Sequence, residues 1–405
     1  MNTAIHTTDA PGSSAPHAPA WVRTWGASPQ APDNSVSSLE PFADATLRQL
    51  VRISGGGRRL RIRLSNEYGT APLTVGAARV ALAADREGAI QDGSSKAVTF
   101  SGQPTITVPT GAPALSDPVD LAVDDSAQLA ISLYLPGRVD AATCHGTFGT
   151  LGWLTPGNTT EHAALPGDAT PLAAQALLTA VEVEPETPTR AIAVLGDSRV
   201  DGIGSTPGTD RRWTDLLAAR LHTHNSPTRC VVSQGIGGNR LLTHGIGTAA
   251  LARFDRDILA TPGLAHVVIA VGNDLVFSYA PRTEENAAFL AMFPGEPVGV
   301  DDIIAAHLQA AARAHAHGAK VYAATIAPYG DSDMYSPEGD KAREQINTWI
   351  RTSGAFDAVL DFDAVWRDPA DPSRIRDDLH MGDNLHGNDA GYAALAQSID
   401  LTLFD

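Results

Sequence analysis

Ser198 stands where a side-chain hydroxyl could act as a nucleophile. The apolar run 191–195 predicts a buried parallel strand, and Gly196-Asp197-Ser198 follows it directly. In open α/β sheets, ligands bind outside the carboxyl ends of the strands, and a glycine there lets the backbone turn sharply. The same tripeptide also suits an ordinary turn into a helix, in which Asp or Ser is the N-cap. This string alone therefore leaves both interpretations open.

Three further segments follow in order, and local pattern places each at a strand end. They are residues 231–240, which contain Gly237-Gly238-Asn239, residues 266–274, which contain Asn273, and residues 382–392, which contain His386. Chance agreement across all four segments is improbable. With this set the chain resembles the SGNH hydrolases, also called the GDSL esterase/lipase family, over roughly residues 190–405. The residues that name the family would be Ser198, Gly238, Asn273 and His386.

The residue after the serine departs from the family pattern. The chain has Arg199 where the family's nickname has leucine. This change leaves the predicted chemistry intact, and we expect it to alter what the mouth of the site prefers.

The residues of the last segment suit base-assisted nucleophilic catalysis. A serine hydroxyl is a weak nucleophile until a base takes its proton, and the base works best when a third group fixes its tautomer. Asp383 stands three residues before His386, so its carboxylate can reach the Nδ1–H and leave Nε2 to face Ser198. We predict Ser198, His386 and Asp383 as a catalytic triad.

The developing oxyanion needs hydrogen-bond donors that already point at it. We assign this role to the backbone N–H of Ser198, the backbone N–H of Gly238 and the side-chain amide of Asn273. Gly238 is chosen over Gly237 on the resemblance, because the family's donor directly precedes a short polar residue, here Asn239. Taken singly, these glycines also suit a tight turn, and Asn273 also suits a helix cap.

The chain offers the same acid-to-histidine spacing twice, as Asp377 with His380 and as Asp383 with His386. Spacing does not choose between the two pairs. The second pair directly precedes an amphipathic helix, whose packing would fix its loop, and the resemblance favours the same pair. His380 lies in a polar stretch, so we expect it to be more mobile and more exposed.

Two other groups of residues are more simply structural than functional. His307, His315 and His317 lie on a predicted helix, and we interpret them as a solvated helix face rather than a metal site. Gly202 and Gly204 come too late after the strand for a dinucleotide fingerprint, so no cofactor is predicted.

Composition limits the possible partners and the compartment. The formal net charge of -17 argues against nucleic acid and anionic membranes as partners. Residues 1–20 lack a basic start and an apolar core, so we expect a disordered tail and, by default, a cytoplasmic protein; a trimmed secreted form would look the same. Cys144 and Cys230 neither define nor exclude one disulfide, and the oligomeric state stays open.

Periodicity divides the chain into two domains. Alternating strands and turn-rich connections predict an all-β domain over residues 21–184, a sandwich or jelly roll. A polar linker over residues 185–189 follows. Alternating strands and helices over residues 190–405 predict a three-layer α/β/α sandwich with a parallel sheet, the SGNH or flavodoxin-like arrangement that the resemblance also implies.

We therefore interpret the chain as a metal-independent serine esterase that forms an acyl-enzyme. The resemblance implies short-chain acyl, aryl or sugar acetyl esters and does not rank them. An acyltransferase would use the same triad and differ only in the acceptor. A catalytically inactive carbohydrate-binding protein is a further alternative, although every member of the triad is present.

Overall fold

The computed structural model describes residues 21–32, 39–146, 151–224 and 229–405, and the predicted tail over residues 1–20 lies outside these ranges. The N-terminal strands are β1 (Val22–Gly26), β2 (Ala45–Arg52), β3 (Arg59–Ser65), β4 (Leu73–Val75), β5 (Ala77–Leu82), β6 (Lys96–Ala97), β7 (Ile106–Val108), β8 (Pro113–Leu115), β9 (Gln128–Leu135), β10 (Cys144–His145), β11 (Leu151–Pro156), β12 (Thr170–Pro171), β13 (Gln175–Ala176) and β14 (Leu178–Glu184). The strands that follow are β15 (Arg190–Gly196), β16 (Arg229–Gly235), β17 (Leu264–Ala270), β18 (Lys320–Ala324) and β19 (Ala358–Leu360).

Within the described residues, the helices all come after β15. They are α1 (Ser198–Asp201), α2 (Trp213–Thr223), α3 (Ala250–Phe254), α4 (Asn273–Tyr279), α5 (Ala287–Leu290), α6 (Val300–Ala316), α7 (Pro337–Thr352), α8 (Phe362–Trp366) and α9 (Asp389–Ser398). A π-helical turn at Asp255–Leu259 extends α3, and a 3-10 turn at Leu401–Phe404 ends the chain. No helix in the described ranges is long and apolar enough to cross a membrane.

The N-terminal region has two large antiparallel sheets around one core, and the pairs β10-β13 and β4-β7 form two small sheets beside them. One sheet has the order β12-β11-β2-β9-β5-β6 and the other β1-β14-β3-β8. Side chains from both sheets, such as Leu47 and Leu133 from the first and Ile62 and Val181 from the second, share one buried cluster. In β3 the leucines and isoleucine face this core and the arginines alternate with them, as the two-residue period of a strand requires. The predicted β sandwich is confirmed.

The C-terminal region forms a parallel sheet with the order β16-β15-β17-β18-β19. Helices cover both of its faces, and the two faces bury separate apolar clusters. Gly196 at the end of β15 pairs in register with Gly235 of β16 and Ala270 of β17. Three strands therefore end at the same level, next to one another, and the predicted α/β/α sandwich is confirmed.

The two regions pack directly against each other. Val22 of β1, Ala191 of β15 and Cys230 of β16 form a small buried cluster, and the N–H of Arg23 donates to the carbonyl of Pro262 at 3.0 Å. Cys230 and Cys144 are both buried and are not joined in a disulfide. The β sandwich thus lies beside the edge strand β16, which leads toward the functional loops.

Helix α6 corrects one sequence prediction. His307 is 1% exposed, and its ring contacts Trp349 and Phe356, so it does not belong to a solvated face. Leu308 is instead 45% exposed. The buried stripe of α6 consists largely of alanines, which allow close packing but give a weak hydrophobic pattern, and this is why the sequence prediction was wrong.

Candidate active site

The turn after β15 places Ser198 at the carboxyl edge of the sheet. A Cβ atom at Gly196 would lie 2.0 Å from the Val200 side chain, so the turn requires a glycine here. Asp197 caps helix α1: its Oδ1 accepts the N–H of Arg199 at 3.1 Å, and its Oδ2 accepts the N–H of Gly272 at 3.0 Å. Asp197 thus connects the turn that carries Ser198 to the loop after β17 through hydrogen bonds.

Ser198, His386 and Asp383 form a continuous hydrogen-bonded chain. His386 Nδ1 lies 2.6 Å from Asp383 Oδ2, and His386 Nε2 lies 2.9 Å from Ser198 Oγ. A carboxylate can only accept, so Nδ1 carries the proton and Nε2 accepts from the serine hydroxyl. The arrangement can therefore take a proton from Ser198.

Asp383 is held as a carboxylate by its own loop. Its Oδ1 accepts the N–H of His386 at 2.9 Å and that of Leu385 at 3.0 Å. Burial raises the pKa of this carboxyl, but the hydrogen bonds from the side chain and the backbone of His386 outweigh burial and hold the pKa well below its usual range. Asp383 stays negative and can stabilise an imidazolium at His386.

The loop after β16 also contributes residues to the site. The N–H of Gly237 donates to Asp201 Oδ2 at 3.1 Å, so this group is already engaged. Gly238 adopts φ 72°, a left-handed conformation that favours glycine, and lines the same cavity as Ser198 and Asn273. Gly237 lines this cavity too, so it is its engaged N–H that supports the choice of Gly238 over Gly237 as an oxyanion donor. Asn273 begins helix α4 and is nearly buried.

Arg199 lies behind the nucleophile and not at the mouth of the site, contrary to the expectation from the sequence. Its Nε donates to the carbonyl of Leu385 at 3.0 Å, and its Nη1 reaches the carbonyl of Ala327 at 3.4 Å. Burial lowers the pKa of the guanidinium, while the carboxylate of Asp197 opposes this. Arg199 therefore connects helix α1 to the residue just before His386.

Arg253 is a buried residue of the site's framework that sequence reasoning missed. Its guanidinium donates to the carbonyl of Gly196 at 3.1 Å, to the carbonyl of Gln234 at 2.9 Å and to Asn239 Oδ1 at 3.1 Å. One cation thus joins the ends of β15 and β16. No local pattern marks it, because an arginine in a short helix is usually a solvated residue.

The first acid-histidine pair has a different role from the second. His380 Nδ1 accepts the backbone N–H groups of Gly382 at 3.1 Å and Asn384 at 3.2 Å. Its side chain is 10% exposed, compared with 15% for His386, so the expectation that His380 is the more exposed histidine was wrong. Asp377 Oδ1 lies 4.0 Å from His380 Nε2 and is largely exposed. His380 thus shapes the loop that carries Asp383 and does not line the cavity beside Ser198.

A cavity of about 420 Å³ opens beside Ser198 and His386. Apolar side chains form much of its wall: Ile203, Ile246, Phe277, Phe289, Met334 and Leu385. Glu285, Asn286 and Asp333 supply polar groups, and the β sandwich contributes Gln30 and Gly146. The site therefore combines the Ser198 hydroxyl with an apolar recess and a contribution from both domains.

The fold and this site define a hydrolase of the α/β type. Residues 194–394 match the family model of the GDSL-like lipases and acylhydrolases, and the chain belongs to that family through this domain.

Several solved structures are similar to this chain at low sequence identity. A lipase/acylhydrolase from Enterococcus faecalis is 19% identical, covers 53% of this chain and 95% of its own, and has a TM-score of 0.40. An acetyl xylan esterase from Geobacillus stearothermophilus is 19% identical, with 52% and 92% covered and a TM-score of 0.39. The psychrotrophic esterase EstA from Pseudoalteromonas sp. is also 19% identical, with 52% and 93% covered and a TM-score of 0.35. No curated protein matches the chain.

Proposed function

We propose that this protein hydrolyses carboxylic esters through an acyl-enzyme on Ser198. Ser198 Oγ attacks the ester carbonyl while His386 Nε2 takes its proton, and the imidazolium then protonates the departing alkoxide. Water, deprotonated by the same nitrogen, attacks the acyl-enzyme; the acid leaves and Ser198 recovers its proton. The observation that carries this proposal is the hydrogen-bonded chain from Asp383 through His386 to Ser198 at the edge of the cavity.

Each remaining group has a role that follows from its position. Asp383 orients the imidazole and stabilises its charged form. The N–H groups of Ser198 and Gly238 and the amide of Asn273 face the carbonyl oxygen as it becomes an oxyanion. Donors of this kind are effective because they are oriented before the reaction begins.

The walls of the cavity favour an apolar acyl group. A recess whose exposed wall consists mostly of phenylalanine, isoleucine, leucine and methionine side chains gains free energy by burying hydrocarbon, and polar groups form the smaller part of that wall. We infer that esters with butanoyl to octanoyl or aryl groups are better substrates than acetylated sugars.

A chain-length series tests the proposal. Rates of hydrolysis are measured for p-nitrophenyl acetate, butanoate and octanoate and for an acetylated xylose, with the wild-type protein and with Ser198→Ala. We expect kcat/KM to rise from acetate to the longer esters and to fall at least about a thousandfold in Ser198→Ala. Unchanged thermal unfolding would show that Ser198→Ala is folded. An active Ser198→Ala protein would overturn the mechanism, and a preference for the acetylated sugar would overturn the substrate class.

A further inference from the structure

A buried polar network links the β sandwich to the loops around Ser198. His145 ends strand β10, and its ring uses both nitrogens: Nδ1 donates to the carbonyl of Ser28 at 2.8 Å, and Nε2 lies 3.0 Å from Asp201 Oδ1. Ser28 and His145 belong to the sandwich domain, Ser28 after β1 and His145 in the small sheet β10-β13, whereas Asp201 ends the helix that Ser198 begins. All three residues are buried.

Asp201 carries this link to the oxyanion loop. Its second carboxylate oxygen accepts the N–H of Gly237, the residue before Gly238. The helix and the loop are in close contact here, since a Cβ atom at Gly235 would lie 2.3 Å from the backbone nitrogen of Asp201. The direction of the Gly237 peptide, and with it the position of the Gly238 N–H, therefore depends on Asp201.

Ser28 provides a second link to the same loops. Its hydroxyl donates to Gln234 Oε1 at 2.6 Å and accepts from Arg253 Nη1 at 2.8 Å. Arg253 in turn holds the carbonyl of Gly196 and the side chain of Asn239. Two residues of the sandwich thus reach both the strand before the nucleophile and the residue after Gly238.

We propose that Ser28 and His145 are positioning residues for the oxyanion hole, supplied by the β sandwich. The proposal rests on the proposed esterase function and goes beyond it, because both residues lie outside the segment 194–394 that matches the family. Oxyanion donors act only when they are held in the productive direction, and shifts of about 1 Å in such groups cost large factors in rate. The sandwich is then a part of the catalytic machinery and not only a neighbour of it.

Two substitutions of His145 separate positioning from packing. His145→Gln places an N–H near the position of Nε2, where it can donate to Asp201, whereas Asn is too short to do so. We expect His145→Asn to lower kcat for p-nitrophenyl butanoate at least about tenfold, and His145→Gln to stay within about threefold. KM should change little in both variants, because His145 does not line the cavity.

The serines supply a matched control. Ser28→Ala removes the buried hydrogen bond to Gln234, near the carboxyl end of strand β16. Ser54→Ala removes a buried contact with the same strand at its other end, where the hydroxyl accepts the N–H of Val231 at 3.0 Å. We expect kcat to fall at least about fivefold in Ser28→Ala and to stay within about twofold in Ser54→Ala, since only the first contact reaches the oxyanion loop.

A boronic acid reports on the oxyanion hole separately. Phenylboronic acid forms a tetrahedral adduct with a nucleophilic serine, so its inhibition constant should rise in His145→Asn by about the same factor as kcat falls. A folded His145→Asn protein with wild-type kcat, an equal loss in His145→Gln, or an equal loss in Ser54→Ala would overturn the proposal. When His145→Asn does not fold, Ser28→Ala decides by the same criteria. A wild-type protein without esterase activity would instead mean that the proposed function has failed.

Discussion

The two acid-histidine pairs, Asp377 with His380 and Asp383 with His386, share their spacing and differ in what their surroundings do to them. The first histidine accepts two backbone N–H groups through Nδ1 and does not line the cavity beside Ser198. The second donates through Nδ1 to a carboxylate and presents Nε2 to Ser198. An imidazole that accepts through Nδ1 has a different tautomer from one that donates through it. The environment of the ring, and not the sequence spacing, therefore decides which histidine can serve as the base.

The two pairs also differ in their anchors. The carbonyl of Leu385, the residue before His386, accepts a hydrogen bond from Arg199. Gly387, the residue after His386, lies against Gly204: a Cβ atom at Gly204 would be 2.3 Å from the carbonyl oxygen of Gly387. Helix α1 contacts the residue before His386, and the turn after α1 contacts the residue that follows His386. His380 supports the same loop from within, so the first pair contributes structure to the site of the second.

Alanine substitutions in the two pairs should give the largest contrast. We expect His386→Ala and Asp383→Ala each to lose at least about a thousandfold in kcat, because both belong to the proposed triad. His380→Ala and Asp377→Ala should stay within about tenfold, the size of a positional disturbance. Turnover of p-nitrophenyl butanoate by the four variants measures this, with thermal unfolding as a check of folding. An inactive His380→Ala protein beside an active His386→Ala protein would reverse the assignment.

Substitution of Arg199 tests the anchor of the second pair. Arg199→Leu introduces the residue of the family's nickname and removes the donor to the Leu385 carbonyl. We expect kcat to fall between about tenfold and a hundredfold, because the loop that carries His386 loses its link to helix α1. Arg199→Lys, which keeps one donor, should lose less. Wild-type kcat in a folded Arg199→Leu protein would show that the anchor does not matter for catalysis.

Much of the site could be predicted because its signals are local. The glycine turn after a buried strand and the acid three residues before a histidine can both be read from short segments. Arg199 shows the limit of prediction from short segments. The sequence shows that an arginine follows Ser198, but the direction of its side chain is set by the carbonyls of residues 327 and 385, which are far away in the chain. In α6 the alanine-rich packing face similarly hid the burial of His307.

The contribution of the sandwich could not be predicted from the sequence. His145 and Asp201 are 56 residues apart, and Ser28 and Arg253 are 225 residues apart, with no pattern that joins them. A buried serine and a buried histidine are most often local hydrogen-bonding residues. Only the packing of two domains brings these side chains together behind the oxyanion loop.

The pH dependence gives the smallest expected effect. Since the pKa of Asp383 in the folded protein is lowered, this carboxylate stabilises the fold above its unfolded pKa of about 3.9, and that stabilisation is lost only as pH falls through the lower folded value. Between about pH 4 and 8, Asp383 should therefore stay ionised, so that the limiting acid-side slope of log kcat/KM does not exceed one. A limiting slope of two in this range would mean that the carboxylate titrates as well. Treatment with EDTA should not change the profile.

Covalent labelling tests the central claim most directly, namely that Ser198 is a nucleophile activated by the second histidine. The wild-type protein and the variants His380→Ala and His386→Ala are treated with a fluorophosphonate, and the modified peptide is identified by mass spectrometry over time. We expect one adduct, on Ser198, formed in step with the loss of activity, at near the wild-type rate in His380→Ala and at least about a thousandfold more slowly in His386→Ala. An adduct on another residue, or rapid labelling of Ser198 in His386→Ala, would contradict the account.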